Sequence, residues 1–268
     1  MLLAIDRKEY VTGGREMVLK ERLDLIKQII INDKKVSVSK LSEKFNVTEE
    51  TIRRDLQKLE SDGIVTRTHG GAVLNFEKTA EGIHFYQRAD TNTEEKKDIA
   101  IKAVGCIKNR MTIGVDSSST AMEVLKLIKD RQDVTILTNS AEALRELCQS
   151  NLQILSTGGF LNKRSLSLQG PAAKNTIKSY NVDVALISCK GLEINKGIFD
   201  SDEAEAELKQ LLIQQVKKVI LLADHTKFDK NAFAKLMDFE KVDLLITDRE
   251  PSKEWLEFLQ DNEIQVVF

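Results

Sequence analysis

Beyond residue 110 the chain alternates short apolar runs with amphipathic ones, and this alternation constrains its fold more than any other feature. Strands are expected at MTIGVD (111–116), VTILTN (134–139), LQILST (152–157), VDVALISC (182–189), KVILLAD (218–224), VDLLITD (242–248) and IQVVF (264–268). Helices are expected at STAMEVLKLIK (119–129), SAEALRELCQ (140–149), AAKNTIKSY (172–180), EAEAELKQLLIQQV (203–216) and SKEWLEFLQDN (252–262). Strands that are apolar throughout are buried on both faces, and strands separated by helices join in parallel through crossovers. The expected architecture is therefore α/β, a doubly wound and mostly parallel sheet.

Sheets of this kind hold ligands at the carboxyl ends of their strands, and those ends are polar here. Asp116, Ser117, Ser118, Ser119 and Thr120 link the first strand to its helix. Asn139 and Ser140 follow the second, Gly158 and Gly159 the third, Lys190 the fourth, and Asp224 to Lys227 the fifth. Hydroxyls and free amides at a helix N-terminus suit an anion, glycine lets the backbone approach it, and lysine adds a cation. The effector-binding set is Asp116, Ser117, Ser118, Ser119, Thr120, Asn139, Ser140, Gly158, Gly159, Lys190, Asp224 and Lys227.

Other chemistry lacks raw material. No GxGxxG opens the first βα turn and no GxxxxGK[ST] occurs, which disfavours dinucleotides and P-loop nucleotides. His69, His84 and His225 are dispersed, so neither a metal centre nor a Ser-His-Asp triad is expected, and no catalytic residue or cofactor is assigned. The acidic run Asp200, Asp202, Glu203, Glu205 and Glu207 reads as a solvated helix start. Cys106, Cys148 and Cys189 form no CxxC pair, which suits a reducing, cytoplasmic setting. No apolar run approaches the roughly 18 residues that span a bilayer, so no membrane partner is expected.

The N-terminal part follows a different period. Leu19, Leu23, Ile26, Ile29 and Ile30 make one helical stripe. VSVSKLSEKF (36–45) is a short helix starting near Ser37 or Ser39, and Asn46 to Thr48 make a turn with Thr48 as N-cap. A second helix over about 49–61 turns Ile52, Leu56 and Leu59 to one face and Glu50, Arg54, Gln57 and Ser61 to the other, and stops at Gly63. The order is that of a helix-turn-helix, about Val36–Asp55, whose second helix enters the major groove. IVTRTHGGAVL (64–74) then reads as a strand and a Gly70-Gly71 hairpin, with Arg67 and His69 at the wing. The net charge is −2 overall, but residues 17–75 carry 11 basic and 9 acidic groups. Contact with DNA therefore rests on placed side chains rather than on bulk charge.

The segment from Val36 to Val73, with TIRRDL (51–56) followed by RTHGGA (67–72), resembles the signature of the DeoR family of bacterial sugar-catabolism regulators; that family usually has Ser where this chain has Thr48. The resemblance implies DNA contact by Thr51, Arg53, Arg54 and Arg67. The DNA-facing set is completed by Ser39, Thr48, Lys58, His69 and Gly70, while Asp55 is expected to pair with a neighbouring Arg. DSSST, TNS, TGG, LQG (168–170) and ADHTKF (223–228) match the family's effector domain in order. That domain is similar to sugar-phosphate isomerases, and DSSST corresponds to their phosphate loop.

Four segments are expected: 1–16, a leader or disordered tail with Met17 as the true start; 17–75, a winged helix-turn-helix; 76–92, an ordered linker; and 93–268, the α/β effector domain. Asn92 and Glu95 form a capping box for a helix over 93–109. The expected function is a transcription regulator, a repressor of a sugar operon relieved by a phosphorylated sugar. Its expected partners are double-stranded operator DNA, the small sugar phosphate and further copies of itself in a homodimer or homotetramer. The rival is a DNA-tethered sugar-phosphate isomerase with a carboxylate base from the 200–207 region beside DSSST. A third reading makes the α/β domain an oligomerisation module alone.

Overall fold

A computed structural model describes residues 22–23, 25–27, 29–30, 35–61, 64–74 and 84–268. The expected leader over 1–16, the start at Met17, the contribution of Leu19 and the stop at Gly63 lie outside these residues. The chain divides into two compact units after residue 78.

In the first unit, the described residues between 22 and 30 are helical and bury Leu23, Ile26 and Ile30. Against them pack a helix at Val38–Phe45 and a longer one at Glu49–Ser61, which bury Leu41, Ile52, Leu56 and Leu59. Ser37 caps the first of these through Lys40 N–H (3.2 Å), and Asn46 closes it in a left-handed conformation. The wing holds one strand more than expected: β1 (Lys35–Ser37) pairs with β3 (Gly71–Leu74), which pairs with β2 (Val65–Thr68), all antiparallel. The glycine pair in the turn has two separate causes. Gly70 has φ +86°, and a Cβ on Gly71 would lie 2.0 Å from the Val36 carbonyl oxygen. Buried inside the unit, Arg22 Nε donates to Asp55 Oδ2 at 2.7 Å, the pairing expected for Asp55.

The second unit is built on seven parallel strands: β4 (Thr112–Val115), β5 (Thr135–Thr138), β6 (Gln153–Ser156), β9 (Val182–Ser188), β12 (Val216–Leu222), β14 (Leu244–Ile246) and β15 (Gln265–Val267). Across the sheet they run β15-β14-β12-β9-β4-β5-β6. Along β9, Val184 and Leu186 enter one core while Ala185 and Ile187 enter the other, so the pleat serves two apolar layers. The helices at Thr93–Val104 and Ser119–Ile128 cover the first layer. Those at Pro171–Lys178, Glu203–Ile213 and Lys253–Asp261 cover the second. Strand order reverses between β4 and β9, the position at which such sheets open a crevice at their carboxyl end.

Three features differ from the sequence reading. A hairpin, β7 (Phe160–Asn162) with β8 (Ser167–Gln169), and a small antiparallel sheet, β10 (Gly191–Glu193), β11 (Gly197–Asp200) and β13 (Ala234–Met237), add strands of three or four residues, too short to show a period. The expected linker contributes a helix at Phe85–Ala89, and Phe85 is buried in the first apolar layer of the α/β unit. The capping box at Asn92 does not form. Asn92 is left-handed (φ 52°), and its Nδ2 donates instead to Asp224 Oδ1 (3.1 Å) and Thr226 Oγ1 (3.2 Å).

Candidate functional site

The face expected to read DNA is the outer side of the Glu49–Ser61 helix with the wing beside it. The inward stripe leaves Arg53, Arg54, Gln57 and Lys58 exposed. Arg53 Nη2 donates to Glu49 at 2.6 Å and Arg54 Nε lies 3.5 Å from Glu50, each one helical turn apart. Thr48 Oγ1 accepts the Thr51 amide (3.2 Å), and the two hydroxyls share a hydrogen bond (2.9 Å), so both threonines fix the helix start. Ser39 pairs its hydroxyl with that of the cap Ser37 (2.9 Å). The wing is tied to the helix, because the Arg67 amide donates to Glu60 Oε1 at 2.9 Å while Arg67, His69 and Gly70 stay exposed. Val38 N–H donates to the Gly70 carbonyl (2.9 Å), which sets the wing turn beside the first helix of the pair.

In the α/β unit a cleft opens outside the carboxyl ends of β4 and β9. Its two lobes share Arg88, Ser118 and Lys190. The larger lobe is lined by Ser118, Ser119 and Thr120 at the N-terminus of the Ser119–Ile128 helix and by Lys96, Lys227 and Asp224. Its volume is about 110 Å³ against the roughly 10–15 Å³ one water requires, room for a phosphate-sized group with attached carbon. Burial pulls the Lys190 ammonium down to about 7, helped by the nearby Arg88 guanidinium. Burial likewise pulls Lys96 down to about 8, with Lys227 adding repulsion. Asp224 lies 3.7 Å from Lys227, yet burial still disfavours the charge on Lys96 and Lys190, and an anion bound at this helix N-terminus would favour it. One oxygen of Asp224, buried to 1% exposure, accepts no hydrogen bond, which leaves an acceptor for a ligand hydroxyl.

The smaller lobe rests on a buried lattice of charges. Lys209 Nζ sits 2.8 Å from Asp116 Oδ2 and 2.7 Å from Asp200 Oδ2 and donates to the Ser188 carbonyl. Burial works against its charge, yet the two carboxylates outweigh burial and hold Lys209 above the ordinary lysine value. Glu205 accepts from Ser117 Oγ (2.8 Å), Gln169 Nε2 (2.8 Å) and Ser167 Oγ.

A model of the DeoR-like helix-turn-helix domain matches residues 22–78, and a model of the DeoR C-terminal sensor domain matches residues 91–249. The chain belongs to the DeoR family. It is a DNA-binding transcription regulator, not an enzyme. An uncharacterised HTH-type regulator, YulB of Bacillus subtilis, is 39% identical over 93% of this chain and 96% of its own. GolR of Listeria innocua is 34% identical over 90% and 95%, and an L-fucose operon activator of Haemophilus influenzae 32% over 92% and 98%. Among solved structures, ribose 5-phosphate isomerase A of Methanocaldococcus jannaschii overlaps 52% of the regulator and 55% of its own chain, at 18% identity and a TM-score of 0.40.

Of the sensor residues singled out by sequence, the cleft brings together Ser117, Ser118, Ser119, Thr120, Lys190, Asp224 and Lys227. Asp116 stands behind it, accepting the amides of Ser118 and Ser188 (both 3.0 Å). Asn139, Ser140, Gly158 and Gly159 line neither lobe, since β5 and β6 lie on the far side of β4 from β9. Ser140 caps the Ala141–Glu146 helix, and a Cβ on Gly159 would meet the Gln169 carbonyl at 2.3 Å. Sequence reasoning missed Arg88, Lys96 and Lys209. The signal was a lysine on an apolar helical stripe, Lys96 with Ile99 and Ala103, Lys209 with Leu208 and Leu212. The acidic run is not a solvated helix start throughout, because Asp200 and Glu205 are buried beneath the cleft. The carboxylates the isomerase reading asked for are thus beside Ser117, but Glu205 is held by three donors and Asp200 by Lys209. Glu95, His225 and Asp248 also converge, but the His225 ring already meets Asp248 (2.7 Å) and Arg249 (2.6 Å), which occupy both ring nitrogens. Among the described residues, no helix is long and apolar enough to cross a membrane.

Proposed function

We propose that the protein represses a sugar-utilisation operon and that a phosphorylated sugar in the β4–β9 cleft relieves the repression. The observation that carries the reading is the gathering of Arg88, Lys96, Lys190 and Lys227 about the N-terminus of the Ser119–Ile128 helix, with an Asp224 oxygen beside it that accepts no hydrogen bond and lies 3.7 Å from Lys227 Nζ. The cations take the phosphate and the carboxylate takes a sugar hydroxyl. The protein acts in the cytoplasm as a homodimer or homotetramer, since operators mirror a two-fold protein. The printed name of one relative, an L-fucose operon activator, supports a sugar-linked role and is that of an activator, so a reporter fusion decides the sign. The test is fluorescence anisotropy on the regulator's own upstream DNA with a panel of sugar phosphates. A phosphorylated sugar is expected to weaken binding, and a panel without effect sinks the reading.

Two substitutions test the two ends of this function. Arg54→Ala should weaken operator binding about tenfold and lower the salt slope by about one, with the melting profile unchanged; the same affinity at fixed salt would remove Arg54 from the interface. Lys190→Met should weaken sugar-phosphate binding at least tenfold at pH 6.5. In the unaltered protein Lys190 loses its charge as pH rises through about 7, so affinity should fall up to about tenfold per pH unit between 7 and 8.5. The variant should show a flatter profile, and an unchanged profile would exclude Lys190 as the phosphate's partner.

A further inference from the structure

Glu95, His225 and Asp248 come from three segments of the α/β unit: the first turn of the Thr93–Val104 helix, the loop after β12 and the loop after β14. One ligand atom of each lies within 4.8 Å of the others. Glu95 is half-buried, yet among the described residues it enters no hydrogen bond or ion pair. Two carboxylates this close repel each other unless a cation serves both. The cation at hand serves one. Arg249 reaches Asp248 Oδ2 (3.3 Å) and the His225 ring (2.6 Å) but forms no ion pair with Glu95. A guanidinium offers donors alone, so its seat marks a place where an imidazole nitrogen and a carboxylate oxygen together receive a cation. The Arg249 side chain is 60% exposed and can leave without stranding a buried charge. The frame around the cluster is fixed. Asp248 Oδ1 accepts the His225 amide at 2.6 Å, and Lys102, on the helix that carries Glu95, donates to the Thr247 carbonyl at 3.0 Å.

We infer that Glu95, His225 and Asp248 form a site for one divalent transition-metal ion of the zinc type, which takes imidazole nitrogen and carboxylate oxygen together. The imidazole sets the site against magnesium and calcium, which take oxygen ligands. Donors around a tetrahedral ion with bonds of about 2.1 Å stand about 3.4 Å apart, so the widest pair must close by little more than about 1 Å, within reach of a glutamate rotamer change. Two carboxylates and a neutral imidazole cancel the ion's charge, and water completes its shell. Dispersed histidines are no obstacle, since one is enough when carboxylates from other segments supply the rest. The ion displaces Arg249 and pins the helix to both loops. His225 adjoins Asp224 in the cleft wall, so the sensor gains a second input, which stands whatever fills the cleft.

The test uses the full-length protein, stripped with EDTA and titrated calorimetrically with zinc chloride, with magnesium chloride in parallel. Zinc should bind as one saturable equivalent and raise the melting temperature of the sensor transition, and magnesium should do neither. Cobalt(II) in place of zinc should give visible d–d absorption without the thiolate charge-transfer band of a cysteine ligand. Glu95→Gln and His225→Gln should each weaken zinc at least about tenfold, the loss that even outer partners of a metal commonly cause. Glu95→Gln should do so with the metal-free melting temperature unchanged or higher, because that carboxylate has no partner to lose. Arg249→Gln should tighten zinc severalfold, and affinity unaltered there overturns the displacement. No saturable equivalent, equal binding of magnesium, a thiolate band, or zinc affinity unchanged in either Glu95→Gln or His225→Gln overturns the site.

Discussion

Asp55→Ala is expected to unfold the DNA-reading unit while the sensor keeps its own transition. Arg22 and Asp55 side chains are 10% and 3% exposed, so removing the carboxylate strands a guanidinium inside a small core. Breaking a buried pair from one side costs about 3–5 kcal/mol. A unit of this size holds roughly 3–9 kcal/mol in total. Calorimetry should show the smaller transition lost or moved far down, and operator binding should fall more than about 100-fold although Asp55 faces no base. Arg22→Met combined with Asp55→Leu should restore much of the stability, because the two charges leave together. Operator affinity within twofold in the single variant would show that the pair contributes nothing.

Lys209→Met should do the same to the sensor. Lys209 bridges Asp116 and Asp200, both nearly fully buried, and it also holds the Ser188 carbonyl. Without it two carboxylates face each other out of water. The expected loss is again about 3–5 kcal/mol, or a fall of about 10 °C in the sensor transition. The loop from Asp116 to Ser118 loses its clamp, so sugar-phosphate binding should fall with stability. Changing Asp116 and Asp200 to Asn in the Lys209→Met background should recover most of the stability; no recovery would mean that packing of the lysine stem, not charge, is what was lost.

What could be read from residues alone follows from how each feature is encoded. The seven sheet strands are runs of apolar side chains, and both faces of the sheet need them, so the pattern is dense and local. The helix-turn-helix is legible for the same reason, with Thr48 and Asn46 at its corners. The β7–β8 hairpin and the sheet of β10, β11 and β13 were not, because three residues give no period and their pairing is decided by partners far along the chain. The cleft was half legible. Loops at strand ends announce themselves by hydroxyls and glycines, but only the strand order says which ends meet. That order places Ser118 with Lys190 and leaves Asn139 and Gly159 aside. Arg88 could not be placed, since nothing local says that a residue before the sheet returns to its edge. Asp200 and Glu205 look solvated in a one-dimensional reading because their partners, Lys209 and Ser117, lie 9 and 88 positions away.

Arg53 and Arg54 each carry a resident anion, Glu49 and Glu50, one turn back along the reading helix. If these arginines meet a duplex as expected, each would exchange a carboxylate for a phosphate, which should return somewhat less free energy than neutralising a bare cation. On random sequence, where phosphates are all that is offered, little is gained. At the operator the base edges add their own contacts. The glutamates would then weaken binding at the genome's roughly 10⁶–10⁹ competing sites more than at the operator. Fewer copies of such a regulator would then be lost to the rest of the chromosome.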